Sequence, residues 1–370
     1  MHRVLEEAHL SELTEACADV APGQTALVLI ADEGHPPLDE MVRVLRGTGR
    51  PFFGGIFPGV ISGPRCLDRG AVVVGVDLLG EPRVFEDLAS WQHRSIGDEL
   101  ESEGTTARSG LVLIDGLASS IGGWLGAVYD SVGTSIPFVG AGAGSMSLQP
   151  SPCLFTDRGV LQDAAIVGLR SAEIGIGVRH GWQTVSGPMV VDSSEGNVIR
   201  SLNWDNAFDV YAALVLEESD LRVDPEDFFE VSKGFPFGLQ RSGHEVIVRD
   251  PIRVDAGGAL VCVGEVPENS VLTLLKGEAS ALIGAAGEAA ASAVDGLNRV
   301  DSVFLVDCVS RSIFLEERFE EELREIAAAL RPKAHGSLYG VLSLGEVASS
   351  DDGPLEFLNK TSVVGALGVE

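Results

Sequence analysis

A few residues of this chain are of types and spacings that could do chemistry. His180-Gly181-Trp182 sets an imidazole two residues from an indole across a flexible glycine. The imidazole could ligate a metal or hydrogen-bond a carboxylate, with Trp182 as an apolar wall. The same tripeptide also suits a turn in which His180 bonds backbone and Trp182 fills the core. Cys308 and Arg311 stand between an apolar run and a helical pattern, where α/β proteins commonly bind ligands. Arg311 could hold a carboxylate through two parallel hydrogen bonds, and Cys308 could serve as a nucleophile. Their plainer uses are an ion pair with a nearby glutamate and a small buried filler. Glu346, Asn359 and Thr361 form a polar trio around apolar segments, suited to anchoring a ligand or to ending a strand and making a turn. Gly54, Gly55, Gly140 and Gly142, with Ser145, could offer backbone N–H groups to an anion or let strands pack closely. They form neither a Walker loop nor a GxGxxG that opens a helix.

These residues need elements to position them, and the elements recur. Leu27–Ile30 and Leu111–Ile114 read as buried strands, each followed by a helical pattern (Leu38, Met41, Val42, Leu45; then Ile121, Leu125, Val128, Tyr129). The glycine strands come next, Pro51–Gly59 and Pro137–Ser147, and then Ala71–Val76 and Ala164–Leu169. Four blocks in the same order indicate a duplication of residues 25–88 in residues 110–180. The unit reappears, incomplete, as Val303–Val306, a helix over Glu316–Leu330, the glycine strand Ser337–Glu346 and Ser362–Leu367. Residues 4–18 read as an amphipathic helix, 96–103 as a polar helix or loop, and 245–248 as a strand. The expected fold is α/β (α+β), with mixed β-sheets flanked by helices, internally duplicated units and two related halves. The expected domains are 1–225, holding both repeats, and 226–370.

Composition narrows the function. A hydrophobic content of 45% and a mean hydropathy of +0.21 exclude general disorder. The net charge of -29, with lysine only at Lys233, Lys276, Lys333 and Lys360, suits a salt-rich cytoplasm, where ions screen repulsion among carboxylates. Such a surface argues against nucleic-acid or anionic-membrane partners. Five dispersed cysteines give no zinc spacing and no disulfide framework. The N-terminus carries no secretory signal and no run is long enough to span a membrane, so the expected location is cytoplasmic. HExxH, GxSxG and carboxylate-rich metal motifs are missing, which points away from an enzyme.

Several blocks resemble the FIST sensory domain, with its N- and C-terminal parts. They are Gly54–Gly63, Val178–Trp182, Gly187–Val191, Gly196–Ile199, Phe235–Gly238, Val306–Arg311, Gly345-Glu346 and Asn359-Lys360-Thr361. The resemblance spans about residues 25–370. It implies a small-ligand-sensing module for amino acids or similar metabolites in intracellular signal transduction, the two domains being the FIST N and FIST C parts. Some bacterial members bind haem and respond to nitric oxide, which makes His180 the haem candidate and a gas sensor the alternative. No cofactor is otherwise expected. No output segment is recognised in this chain, so a separate signalling protein is the expected partner, and a homo-oligomer is possible. An adaptor without ligand and an enzyme acting through Cys308 are the remaining alternatives.

Overall fold

A computed structural model describes residues 2–91, 94, 96–100, 107–241, 246–331, 333–349 and 354–368. The first copy of the repeat runs β1 (His2–Leu5), α1 (Leu10–Ala18), β2 (Thr25–Ala31), α2 (Leu38–Arg46), β3 (Phe52–Phe57), the hairpin β4 (Gly59–Ser62) and β5 (Arg65–Leu67), then β6 (Ala71–Val76). The second runs β7 (Arg83–Glu86), α3 (Gly97–Leu100), β8 (Ser109–Asp115), α4 (Ile121–Val132), β9 (Phe138–Ala143), the hairpin β10 (Leu154–Thr156) and β11 (Gly159–Leu161), then β12 (Ala164–Arg170). Composition explains the strands: β2, β8 and β12 are buried along their whole length, as near-continuous apolar runs require. In α2, Met41, Val42 and Leu45 face inward, with Asp39 and Glu40 in the first turn and Arg43 and Arg46 in the last, the order that the helix dipole favours.

A third copy begins at β13 (Ile174–Arg179), and the chain then leaves it to build a barrel. The barrel segment holds β14 (Gln183–Glu195), β15 (Val198–Leu202), β16 (Asp205–Asn206), α5 (Ala207–Ser219), α6 (Phe228–Ser232), β17 (Phe237–Leu239), β18 (Ile247–Val254), β19 (Leu260–Val263) and β20 (Val271–Lys276). Strand β14 pairs with both β20 and β15, so the ring β14-β20-β17-β18-β19-β15 closes and no main edge is left open. The third copy resumes with α7 (Ala279–Val294), β21 (Val300–Cys308), α8 (Val309–Leu315), α9 (Phe319–Leu330), β22 (Ala334–Ser343), the hairpin β23 (Glu346–Ser349) and β24 (Leu355–Leu358), and β25 (Ser362–Gly368). The copy that looks incomplete in sequence is therefore complete in space, with its leading strand and helix separated by the inserted barrel.

All three copies share one topology. The strands flanking the main helices are parallel (β2·β3, β8·β9, β21·β22). The last strand returns antiparallel beside the first (β6·β2, β12·β8, β25·β21), and the leading strand covers its outer edge (β1, β7, β13). Each hairpin leaves its own copy. β10–β11 extends the first sheet beside β3, β23–β24 the second beside β9, and β4–β5 the third beside β22. The exchange is cyclic, so no copy completes its sheet alone.

The register explains one glycine in each copy. Gly54 faces Val28, Gly140 faces Val112 and Gly340 faces Leu305 in the three parallel pairs. A Cβ there would stand 1.9, 2.2 and 1.9 Å from the facing carbonyl oxygen. The expected helix over 4–18 is corrected: residues 2–5 pair with β6 as an edge strand and the helix starts at Leu10. Helical spacing over so few residues does not reveal a cross-strand partner. Of the polar stretch 96–103, Gly97–Leu100 is helical and 101–103 lie outside the described residues. The strand expected at 245–248 begins at Ile247, and residue 245 lies outside the described residues. Among the described residues, no helix is long and apolar enough to cross a membrane.

Candidate ligand-binding site

A cavity of about 1270 Å³ lies where the turns after β8 and β21 face the barrel. Both turns follow the C-terminal ends of parallel strands, where such sheets leave a crevice. Its apolar lining includes Ile121 and Leu125 of α4, Leu239 and Ile247 of the barrel, and Phe357 of β24. Met146 and Leu148, 47% and 43% exposed, also line it, on the loop after β9.

Buried polar groups form another part of the lining. Arg249 and Asp250 come from β18, Cys308 and Ser310 from the β21–α8 junction, and Asn359 from the turn before β25. Ser310 Oγ donates to Asp250 Oδ2 and accepts from Lys360 Nζ at 2.7 Å. Lys360 Nζ also donates to Lys233 O at 2.9 Å and lies 3.3 Å from Asp250 Oδ1. Burial raises Asp250 above its ordinary value, opposed by the nearby Lys360 charge. Arg249 donates through Nε to Glu265 O at 2.8 Å and through Nη1 to Val248 O, Phe357 O and Asn359 Oδ1. Those acceptors are all neutral oxygens, and burial pushes the guanidinium down to about 10, which leaves it charged at neutral pH.

Arg311 follows β21, and Asn359 and Thr361 precede β25, the neighbour of β21 in the third sheet. Glu346 does not end the glycine strand expected over 337–346, because β22 stops at Ser343 and Glu346 opens β23 of the second sheet. Of these, Asn359 lines the cavity, while Arg311 is fully buried away from its lining. Arg311 is bound by Glu322 through Nε and Nη2, the latter at 2.6 Å, and donates to His180 O, Leu282 O and Lys360 O. Its fork is thus occupied by protein oxygens. Removing one partner of such a buried pair costs about 3–5 kcal/mol, so its main effect falls on stability. Glu346 accepts from Ser343 Oγ at 2.6 Å and from Thr361 N at 3.2 Å. Burial pushes its carboxyl up to about 8. Thr361 Oγ1 donates to Asn359 O, which fixes the turn that carries Asn359.

His180 and Trp182 belong to the crossing from β13 into the barrel. The N–H of Trp182 donates to His180 Nδ1 at 2.9 Å, and Trp182 Nε1 donates to Lys360 O at 3.0 Å. The indole packs 5.0 Å from the Phe314 ring and lies 5.0 Å from Lys360 Nζ. By gripping His180 O and Leu282 O, Arg311 ties the chain entering the barrel to the helix that follows it. A haem ligated by His180 does not fit this placement, because the ring is buried, bonded to its own turn and outside the cavity lining. Cys308 does line the cavity, but burial, with Glu346 nearby, raises its thiol well above the ordinary value, so it keeps its proton. Gly54, Gly55, Gly140 and Gly142 sit within crowded strands, where a Cβ would meet backbone or core side chains. Ser145 Oγ donates to Asp32 Oδ2 at 2.7 Å, linking the second copy to the first.

Comparison with known families matches both parts of the chain. The FIST N domain matches residues 24–205 and the FIST C domain residues 207–349. The chain belongs to the FIST family. FIST domains are sensory domains of signal transduction. A search of curated proteins found no match to this FIST chain. In the FIST protein the first copy from β2 onward, the second copy, β13 and the start of the barrel fall in the N match, while β1 and α1 precede it. The C match covers the rest of the barrel and the third copy up to Ser349.

Sequence reasoning missed Arg249, Asp250, Ser310 and Lys360. Two of these stood inside motifs already singled out, Val306–Arg311 and Asn359-Lys360-Thr361. The adjacent charges Arg249-Asp250 between Val246–Val248 and Pro251-Ile252 were the other available signal, since charges within an apolar strand need partners.

Proposed function

We propose that this FIST protein is a cytoplasmic small-molecule sensor, binding an amino-acid-like metabolite in the cavity and passing the signal to a separate signalling protein. One observation carries the reading: a large cavity with apolar walls and buried polar groups lies between the barrel and the second and third copies. Apolar walls with a few placed polar groups are the usual make-up of small-ligand sites. The barrel joins the third copy through two chain crossings, at 180–182 and 277–278. A ligand touching both walls would favour one placement of the barrel, and such differential binding is what shifts a conformational equilibrium.

Gly126 supplies the test. It lies on α4, lines the cavity, and a Cβ added there meets nothing within 4 Å. Gly126→Phe should fill the cavity while leaving the ligand-free melting temperature within about 2 °C, because glycine is itself a poor helix residue. A thermal-shift screen of amino acids and other metabolites in molar KCl should find a compound that stabilises wild type, by about 2.7 kcal/mol at a hundredfold excess over Kd. Gly126→Phe should abolish that shift. A screen without any stabilising compound, or a shift that survives the substitution, would overturn the reading.

A further inference from the structure

The most telling feature of the cavity is an amide whose orientation is dictated and whose donors are unused. Asn359 is 1% exposed, and its Oδ1 accepts from Arg249 Nη1 at 3.3 Å. A guanidinium can only donate, so the amide oxygen must face it and Nδ2 must point the other way. Among the described residues, Nδ2 is buried without an acceptor. A buried amide donor left unpaired is costly, and native structures rarely keep one without a reason. The neighbouring guanidinium, itself buried, spends Nε and Nη1 on neutral oxygens, and none of those bonds uses Nη2.

Gly264 packs directly against the pair. It has φ +80°, and a Cβ there would stand 2.9 Å from Asn359 Oδ1 and 3.1 Å from Arg249 Nε. Its positive φ favours glycine, and a side chain there would press on the amide oxygen and the guanidinium. The apolar walls of α4 and the barrel then offer a surface for the remainder of a ligand.

Building on the reading of the cavity as the ligand seat, we infer that Arg249 and Asn359 form a carboxylate-anchoring subsite, and that the ligand is a small carboxylate with an aliphatic body. A carboxylate supplies the acceptors that Nδ2 lacks and the negative charge that Arg249 is not given by its neutral partners. The assignment moves the anchoring cation from Arg311, whose fork is filled by Glu322, to Arg249. Amino acids, 2-oxo acids and unsubstituted fatty acids share this chemistry, and the α-substituent distinguishes them.

The test uses isothermal titration of the full chain in molar KCl. L-leucine, 4-methyl-2-oxopentanoate, 4-methylpentanoate and octanoate are compared with isoamylamine and 4-methylpentanamide. At least one carboxylate should bind wild type, and its amine and amide counterparts should not; which acid binds best identifies the α-substituent. Asn359→Asp keeps the oxygen that Arg249 needs and replaces the donor with a second acceptor. It should weaken the bound carboxylate by at least roughly 30-fold, since like charges then meet in a desolvated site. If Asn359→Asp fails to fold, Arg249→Lys, which keeps the charge but loses the fork, should weaken the same acid by about tenfold. Undiminished carboxylate binding in the variant that folds would overturn the subsite. Binding of the amine or amide but of no acid would leave the cavity reading standing and the carboxylate assignment refuted. Silence from every compound would count against both.

Discussion

Glu346 shows how strongly one buried side chain can couple this protein to pH. Its carboxyl accepts from Ser343 and Thr361, yet burial raises it from 4.5 to about 8. The folded state therefore prefers the protonated form. The stability this contributes is fully present below about 4.5 and is lost as pH rises through about 8. Glu346→Gln mimics the protonated acid and cannot ionise. Its melting temperature should match wild type near pH 5 and exceed it by on the order of 2–4 °C at pH 9. Scanning calorimetry from pH 5 to 9 checks this, and a difference independent of pH would count against the assignment. The repeat in the sequence makes β21 and β25 neighbours, which sets Arg311 near Asn359, but of Arg311, Glu346 and Asn359 it is Asn359 that lines the cavity. The sequence did not show that Glu322, eleven positions beyond Arg311 on α9, fills the guanidinium fork. That pairing depends on how α9 packs against α8.

Among the elements, the glycine strands are the most constrained. Gly54, Gly140 and Gly340 occupy one position of the repeat, each facing a carbonyl of the parallel neighbour. A Cβ on Gly340 would stand 1.9 Å from Leu305 O, and backbone cannot yield as a flexible side chain can. Gly340→Ala should therefore destabilise by roughly 2–3 kcal/mol, read from the urea midpoint. Gly126→Ala, in open space on a helix, should stabilise by about 0.5–1 kcal/mol. Equal effects from the two substitutions would refute this account of the strand glycines. The duplication and its glycines were legible because each copy repeats the same apolar blocks in the same order. The hairpin exchange was not, since nothing in a short hairpin names the sheet that it joins.

At the scale of the whole molecule, the charge of -29 lies on a chain with 26 basic residues. Most of the ion pairs described are between well-exposed groups, such as Arg65 with Glu6 and Arg158 with Glu81, and pairs of that kind contribute little. Repulsion among the surplus carboxylates should dominate at low ionic strength and be screened at high. The melting temperature should rise by on the order of 10 °C between dilute and molar KCl. A flat response in a KCl series followed by circular dichroism would refute the reading of the surface as salt-adapted. The barrel also belongs to this scale. It interrupts the third copy between β13 and α7, so the repeat is complete only after folding brings residues 174–179 beside 362–368.

Sequence alone determined the features that local pattern encodes: buried strands, amphipathic helices, the repeated unit, the acidic surface and the motifs shared with FIST domains. Periodicity and composition act over a few residues, so they can be read without coordinates. Tertiary structure decided the features that depend on contacts between distant segments: the cyclic hairpin exchange, the closure of the barrel and the use of each polar side chain. Arg249 and Arg311 show the difference. Both are buried arginines near the same sheet edge, but Arg311 is held by a carboxylate whereas the hydrogen bonds of Arg249 among the described residues go to neutral oxygens. Burial makes this difference in hydrogen-bonded partners significant, and burial of a side chain is a property of the packed molecule.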